Sequence, residues 1–509
     1  MPALARAGRR GVIKRGMILA AAAMASACAP TVRLPRPQVA LPENFEVDAG
    51  TRPSPAAIER WWTSFGDQKL TTLVDKALAR STDVRLSFAE LREARASRRS
   101  AFASTLPTGT VNATATRQYT TRLASNVPSI NLGGTLPTGD DGSLADLFNP
   151  NGAIDSFNVA ASPSWEIDLF GRLSATRAEA RSLFAAGYFD FEAVRLSVAA
   201  DVATTYFEAK GYAAELENAR ETLRISRTLA QSARLGAERG IVAGSDVDRL
   251  ETDVATAEAD AERAANALNI SKRSLQILTG DVLAPLDALA INSVLPASPA
   301  VPTTTPAELL ERRPDVRAAQ ARLFASTSRI DIDRAGLFPR VTLQPGATLS
   351  GTNSPLGATN LIWQIGGGIA LPILNRPALI AQLRISQARG EQSVVRYERV
   401  VQTAFQEADR ALRGVVTDRR RQAALERAAA SSERAFDAKQ IGFRLGLNDL
   451  TTLLQAETAY RTARNALTAQ RTASLQNTVT AFKALGGGWT PARDAGAAGA
   501  VLTDNRDHQ

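Results

Sequence analysis

Apolar positions in this chain follow two periods, and the places where one gives way to the other outline its elements. Val247, Leu250, Val254, Ala257, Ala261, Ala264 and Leu268 recur at steps of three and four, the seam of a coiled-coil helix. Val202, Ala209, Tyr212, Leu216, Ala219 and Leu223 carry the pattern upstream, and no proline interrupts the run from Arg172 to Gly280. A proline inside a helix costs about 3 kcal/mol, so a proline-free run this long, rich in Ala, Arg, Glu and Leu, predicts very long helix. Arg239-Gly240-Ile241-Val242-Ala243-Gly244-Ser245-Asp246 breaks the seam with two turn glycines and a Ser or Asp able to cap the next helix, giving a helical hairpin over 172–278. The proline-free stretch between Pro377 and Pro491 predicts a second hairpin over 377–485.

Elsewhere the period is two. Phe157, Val159, Ala161, Pro163, Trp165 and Ile167 alternate with Asn158, Ala160, Ser162, Ser164, Glu166 and Asp168, so one face is apolar and the other polar to acidic. Thr110 to Ala115 alternates in the same way, as do Val341 to Leu349 and Leu361 to Leu371. The predicted strands are about 109–118, 157–169, 341–350 and 361–373. Between the first two, Gln118 to Ser156 is dense in Gly, Asn, Asp, Ser and Pro and reads as a long loop, while its counterpart near Thr352 to Asn360 is short.

The second half repeats the first. Asp83-Val84-Arg85 precedes Pro107 by the spacing at which Asp315-Val316-Arg317 precedes Pro339. Leu169-Phe170-Gly171-Arg172 falls on Ile373-Leu374-Asn375-Arg376, Gly240 on Gly446, and Glu251 on Glu457. The expected organisation is a first repeat over 67–280, a linker over 281–305, a second repeat over 306–486 and a tail over 487–509, after an extended segment over 28–66. Each unit reads helix, strand, strand, long helix, helix. At 1.5 Å per residue, Arg172 to Glu238 spans roughly 100 Å and each flanking helix (Gln68 to Ala103, Asp246 to Leu278) roughly 50 Å, so two short helices end to end match one long one. Pro306 to Leu337 and Asp449 to Leu485 stand in the same relation to Pro377 to Phe443.

Strands of about ten residues suit a tilted membrane-crossing β-strand. Four cannot close a barrel, and an open edge is not tolerated in lipid, so several copies must share one. Two copies give eight strands and a filled interior; three give twelve and room for a lumen.

Composition narrows the function. The net charge of +9 over 509 residues includes Arg6, Arg9, Arg10, Lys14 and Arg15, and the remaining +4 is interspersed with acids, no footprint for nucleic acid. Those basic residues, the apolar run Met17 to Ala27 and the small residues after it read as a secretory signal over 1–27. Ala25-Ser26-Ala27-Cys28 resembles the bacterial lipobox, with Ala where Leu is usual, which makes Cys28 a lipid-attachment site; the plainer alternative is ordinary cleavage beside an incidental cysteine. Cys28 is the only cysteine, so no disulfide forms within the chain. The only histidine is His508, which leaves histidine triads and histidine metal sites without residues. Gly366-Gly367-Gly368 and Gly486-Gly487-Gly488 do not precede helices as a phosphate loop does, and Asp331 and Asp333 read as solvated acids on a helix. No enzyme, metal or cofactor is expected beyond a covalent lipid, a palmitate-type acyl group, on Cys28.

Trp165 to Arg172, Arg312-Arg313-Pro314-Asp315-Val316-Arg317, Phe338-Pro339 and Ala484-Leu485-Gly486-Gly487-Gly488-Trp489, in this order, resemble the signatures of TolC-like outer membrane factors, in particular the NodT-type lipoprotein subunits of resistance-nodulation-division efflux systems. The resemblance covers nearly all of the chain after Cys28. It implies a homotrimer, lipid-anchored in the cell outer membrane and reaching into the periplasm: a 12-stranded β-barrel continued by a 12-helix periplasmic α-barrel, docked on a periplasmic adaptor (membrane fusion) protein and an inner-membrane resistance-nodulation-division pump. By position, Gly240, Ile241, Val242, Gly446, Leu447 and Asn448 become adaptor-contacting hairpin tips, although the glycines serve a turn in any case. Asp246 matches a position that ties neighbouring tip helices in a closed tunnel; as an acid in a first helical turn it equally suits the helix dipole. Thr452 and Gln455 stand where the family often places acidic rings, so that detail does not transfer, and Asp449, Asp246 and Asp248 are the alternative constriction residues.

The expected function is a passive exit duct for drugs and toxic compounds in a tripartite multidrug efflux pump. A duct for one-step (type I) protein secretion is a second reading, and a lipid-anchored coiled-coil spacer or adhesin a third. Alternating strands at matched places in both repeats favour a duct over a spacer.

Overall fold

The computed structural model describes residues 34–46, 59–120, 152–302, 305–353 and 358–489. The signal, Cys28, His508 and most of the tail lie outside them. Eight helices and four strands follow one another among the described residues: α1 Gln68–Arg80, α2 Thr82–Ala103, β1 Thr108–Thr120, β2 Gly152–Ile167, α3 Arg172–Glu238, α4 Gly244–Leu278, α5 Pro306–Arg312, α6 Pro314–Ala335, β3 Arg340–Thr352, β4 Thr359–Ala370, α7 Arg376–Arg444 and α8 Leu450–Ala484. Short 3-10 turns lie at Trp61–Phe65 and Leu286–Ala288. The chain divides into two compact units, one from 97–180 and 325–390 with the N-terminal residues to Leu34, the other from 35–96, 181–324 and 391–509.

Two expected helices are each two. Gln68 to Ala103 breaks at buried Ser81, whose extended backbone ends α1 and whose hydroxyl accepts from the Asp83 amide at the start of α2. Pro306 to Leu337 breaks at Arg313 because Pro314 forces its predecessor out of helical geometry. The strands are longer than expected at the loop ends, where β1 reaches Thr120 and β2 starts at Gly152, narrowing the loop read over Gln118 to Ser156. At the helix ends β1 and β3 match the expectation to within one residue, whereas β2 and β4 stop short of it. The Asp168 carboxylate turns back to accept from the Leu173 and Ser174 amides, capping α3, and Pro372 follows the end of β4.

In the first unit the strands form one antiparallel sheet in the order β1-β2-β3-β4. In the second, Trp61, Trp62 and Phe65 with Leu70 and Val74 of α1 pack on Tyr206 and Phe207 of α3 and Phe482 of α8. A buried polar knot fixes this core. Asp67 caps α1 through the Lys69 and Leu70 amides, accepts from the Tyr206 hydroxyl at 2.8 Å and lies 3.4 Å from buried Lys210, which donates to Asn292 at 2.5 Å. Burial and the Asp67 carboxylate hold the Tyr206 phenol far above its ordinary range.

The break at Arg313 has its own use. The buried guanidinium pairs with Asp315 at 2.6 Å and Glu407 of α7 at 2.7 Å and donates to the Ala484 carbonyl of α8 at 3.2 Å. Gly486, at φ +70°, lies where a Cβ would sit 2.7 Å from the Arg312 carbonyl, and the Trp489 indole donates to that same oxygen at 2.7 Å. The sequence motifs at 312–317 and 484–489 are thus two sides of one junction.

Candidate functional site

Neighbours across all three strand pairs have residue numbers of the same parity: Val111 faces Ala161, Val159 faces Leu349 and Ala347 faces Trp363. Odd-numbered positions therefore share one face of the sheet and even-numbered positions the other. The odd face carries Val111, Phe157, Val159, Trp165, Leu343, Leu361, Trp363, Ile365 and Ile369. The even face carries Thr110, Asn112, Thr114, Asn158, Ser162, Gln344, Thr348, Ser350 and Gln364. Large apolar side chains on the odd face stand exposed, Trp363 and Ile365 above all. A soluble sheet would bury that face; here none of the described residues covers these side chains. Charges gather at the sheet's ends. Arg117 pairs with Asp155 at 2.9 Å beside Asn353, and Arg172 holds Glu166 through two bonds of 2.6 and 2.8 Å.

The strand order leaves β1 and β4 each with one edge unpaired among the described residues. No described helix is long and apolar enough to cross a membrane, and the sheet has the pattern of a lipid-facing surface.

The second region comprises the turns that close the two helical hairpins. Gly240 and Gly446 have φ of +71° and +74°, and each turn closes with the same bond pair: Ile241 N–H to Gly236 and Gly240 N–H to Ala237 in the first, Leu447 N–H to Gly442 and Gly446 N–H to Phe443 in the second. Ile241 and Leu447 are both 76% exposed. Val242 and Asn448 fold back over Gly236 and Gly442, where any Cβ would collide with them. Behind the turns, Ile225 and Leu229 of α3, Leu250 of α4, Phe436 of α7 and Leu453 and Leu454 of α8 make one core.

Asp246 lies half-buried in the first turn of α4, and no side-chain bond to it is seen among the described residues; Asp248 is exposed. Asp449 caps α8 by accepting from the Thr452 amide at 2.7 Å, and Thr452 holds its carboxyl below the usual carboxylate range. Glu457 escapes sequence reasoning as a titrating group. It is buried in α8, and burial, aided by Asp253 of α4 and opposed by Arg461 and Arg464, pushes its carboxyl up. Asp331 and Asp333, expected to be solvated, are half-buried and paired with Arg334 at 3.2 Å and Arg329 at 3.4 Å.

A family model described as outer membrane efflux protein matches residues 73–281 and 305–487. The pyoverdine export outer membrane protein OpmQ of Pseudomonas aeruginosa is 28% identical over 489 residues, spanning 94% of this chain and 97% of that protein. The cation efflux system protein CusC of Escherichia coli is 28% identical over 90% of this chain and 94% of its own length. Among solved structures, the outer-membrane channel OprN superposes with a TM-score of 0.74 at 26% identity, over 91% of this chain and 99% of that one.

Proposed function

This chain belongs to the outer membrane efflux protein family, as a TolC-like channel subunit of an efflux pump in the outer membrane, and we propose that three copies pool their sheets into one 12-stranded barrel and their helices into a 12-helix periplasmic tunnel. The observation that carries this reading is the sheet itself: one face apolar between its charged ends, one polar, and two unpaired edges. In hydrocarbon each unmet backbone group costs several kcal/mol, so the edges must meet other copies. The apolar odd face then lies against lipid. The even face, hydroxyl- and amide-bearing, lines water.

The duct is passive. An inner-membrane resistance-nodulation-division pump supplies the energy, and a periplasmic adaptor meets the tips at Gly240, Ile241, Val242, Gly446, Leu447 and Asn448. The exposed Ile241 and Leu447 support that contact, since a solvent-facing turn has no use for matched aliphatic side chains. Gating falls to the tip region, where Asp246 is available to a neighbouring copy and Asp449 is engaged in capping its own helix. A lipid on Cys28 tethers the chain to the inner leaflet. Its relatives carry cargoes as different as pyoverdine and cations, so we assign small molecules as a class and leave selection to the pump.

Deleting the gene and measuring susceptibility across drugs and toxic metals tests the assignment. Heightened sensitivity restored by the wild-type gene supports efflux. Unchanged susceptibility with a secreted protein retained in the cell supports the secretion reading instead.

A further inference from the structure

The internal repeat carries information about a contact that a single chain cannot display. Where β2 and β3 run together, Trp165 faces Leu343 and Ile167 faces Val341. Three residues beyond that last pair on each strand, at the two strand–helix joints, Phe170 stacks on Phe338 with ring centroids 4.9 Å apart. The first joint belongs to one repeat and the second joint to the other, so this is the seam between successive repeats within the chain.

The equivalent positions in the other repeat are fixed by matched motifs. Leu169-Phe170-Gly171-Arg172 corresponds to Ile373-Leu374-Asn375-Arg376, and Phe338-Pro339 to Leu106-Pro107. Phe170 thus maps onto Leu374 and Phe338 onto Leu106. Both are left uncovered: Leu374 is 96% exposed and Leu106 47% exposed, at joints next to the sheet's two unpaired edges. The same mapping carries the pair Trp165 and Leu343 onto Ile369 of β4 and Val111 of β1, which are 64% and 73% exposed.

We infer that β4 of one copy pairs antiparallel with β1 of the next in the register that sets Ile369 opposite Val111, and that Leu374 seats on Leu106 at the joint below, as Phe170 seats on Phe338 within the chain. The inference rests on the proposed assembly and adds its register. It is self-consistent in parity. Ile369 opposite Val111 keeps odd positions beside odd ones, so the apolar face continues unbroken from copy to copy; a slip of one residue would turn polar side chains into lipid.

A short bismaleimide applied to membranes holding the full-length L106C/L374C variant tests it, with Cys28 retained and each single variant as control. Covalent dimers and trimers on denaturing gels, absent from both single variants, are expected. F170C/F338C, linked within one chain, serves as the positive control. V111C/I369C reads the same register from the strands and decides the matter if the joint variant does not fold. Particles of trimeric native mass in which neither inter-copy pair links, or in which Val111 links to Gly367 or Leu371 positions in preference to Ile369, would overturn the register while leaving the assembly intact. A chain monomeric in mild detergent would overturn the assembly itself.

Discussion

At the tip of the α3–α4 hairpin, Gly240 takes a left-handed conformation, Val242 folds over Gly236, and Ala243 occupies the N-cap of α4 with no side-chain bond. At the tip of α7–α8, Gly446 and Gly442 do the same with Asn448, but Asp449 occupies the N-cap and bonds the Thr452 amide. Behind the turns the difference runs the other way. Arg234 pairs with Glu251 at 2.7 Å on the outside of the first hairpin, whereas Gln440 stands at the position of Arg234 in the second, and Glu457, the counterpart of Glu251, is buried. Backbone shape is common to both tips because glycine at positive φ enforces it. The polar chemistry has diverged: the first tip carries a solvent-screened ion pair, the second an N-cap and, further along α8, a buried acid.

The two tips share one core, and opening it should have the largest effect. Leu453 is wholly buried in their common core, and L453A should cost about 2–5 kcal/mol. Hydrogen exchange should accelerate around both Gly240 and Gly446; acceleration at one alone would mean that the core is not shared. G240V and G446V should each cost about 1–2 kcal/mol, equally, since each places a β-branched residue at positive φ. Unequal losses in exchange protection would show that the turns differ in more than their caps. D449A should loosen only the second tip, through loss of its N-cap bond, and A243D should tighten the first.

The smallest effect depends on pH. Glu457 titrates above its ordinary value of 4.5 when folded, so its contribution to stability grows as pH falls toward 4.5 and is adverse at neutral pH, where a charge is buried. Asp449 titrates below its ordinary 3.8, so its cap persists above that value and fades only as pH falls through its lowered one. E457Q should therefore raise exchange protection at the second tip at pH 7, with the gain shrinking toward pH 4.5. A pH-independent gain would remove the buried charge from the account.

Much of the architecture is legible in the residues. The long helices α3 and α7 announce themselves by absent proline and by Gly240 and Gly446 at the turns, because one helix-breaking residue outweighs many mild propensities. The faces of the sheet follow from period-two alternation alone. The break at Ser81 escapes a sequence reading because neither glycine nor proline marks it; a serine cap followed by Asp83 is a weaker signal. Pro314 does signal the second break. Least legible is Glu457, since its burial depends on how neighbouring helices pack against α8, a tertiary fact with no local signature. The unpaired edges of β1 and β4 are legible in principle, from the count of strands.

Thiol chemistry on an open channel tests the two-faced wall most directly. With single-channel current recorded in planar bilayers, a charged water-soluble methanethiosulfonate should step down the conductance of T348C on the even face and leave I365C on the odd face unaffected. Block of I365C with T348C silent, or no current from either variant, would contradict the account.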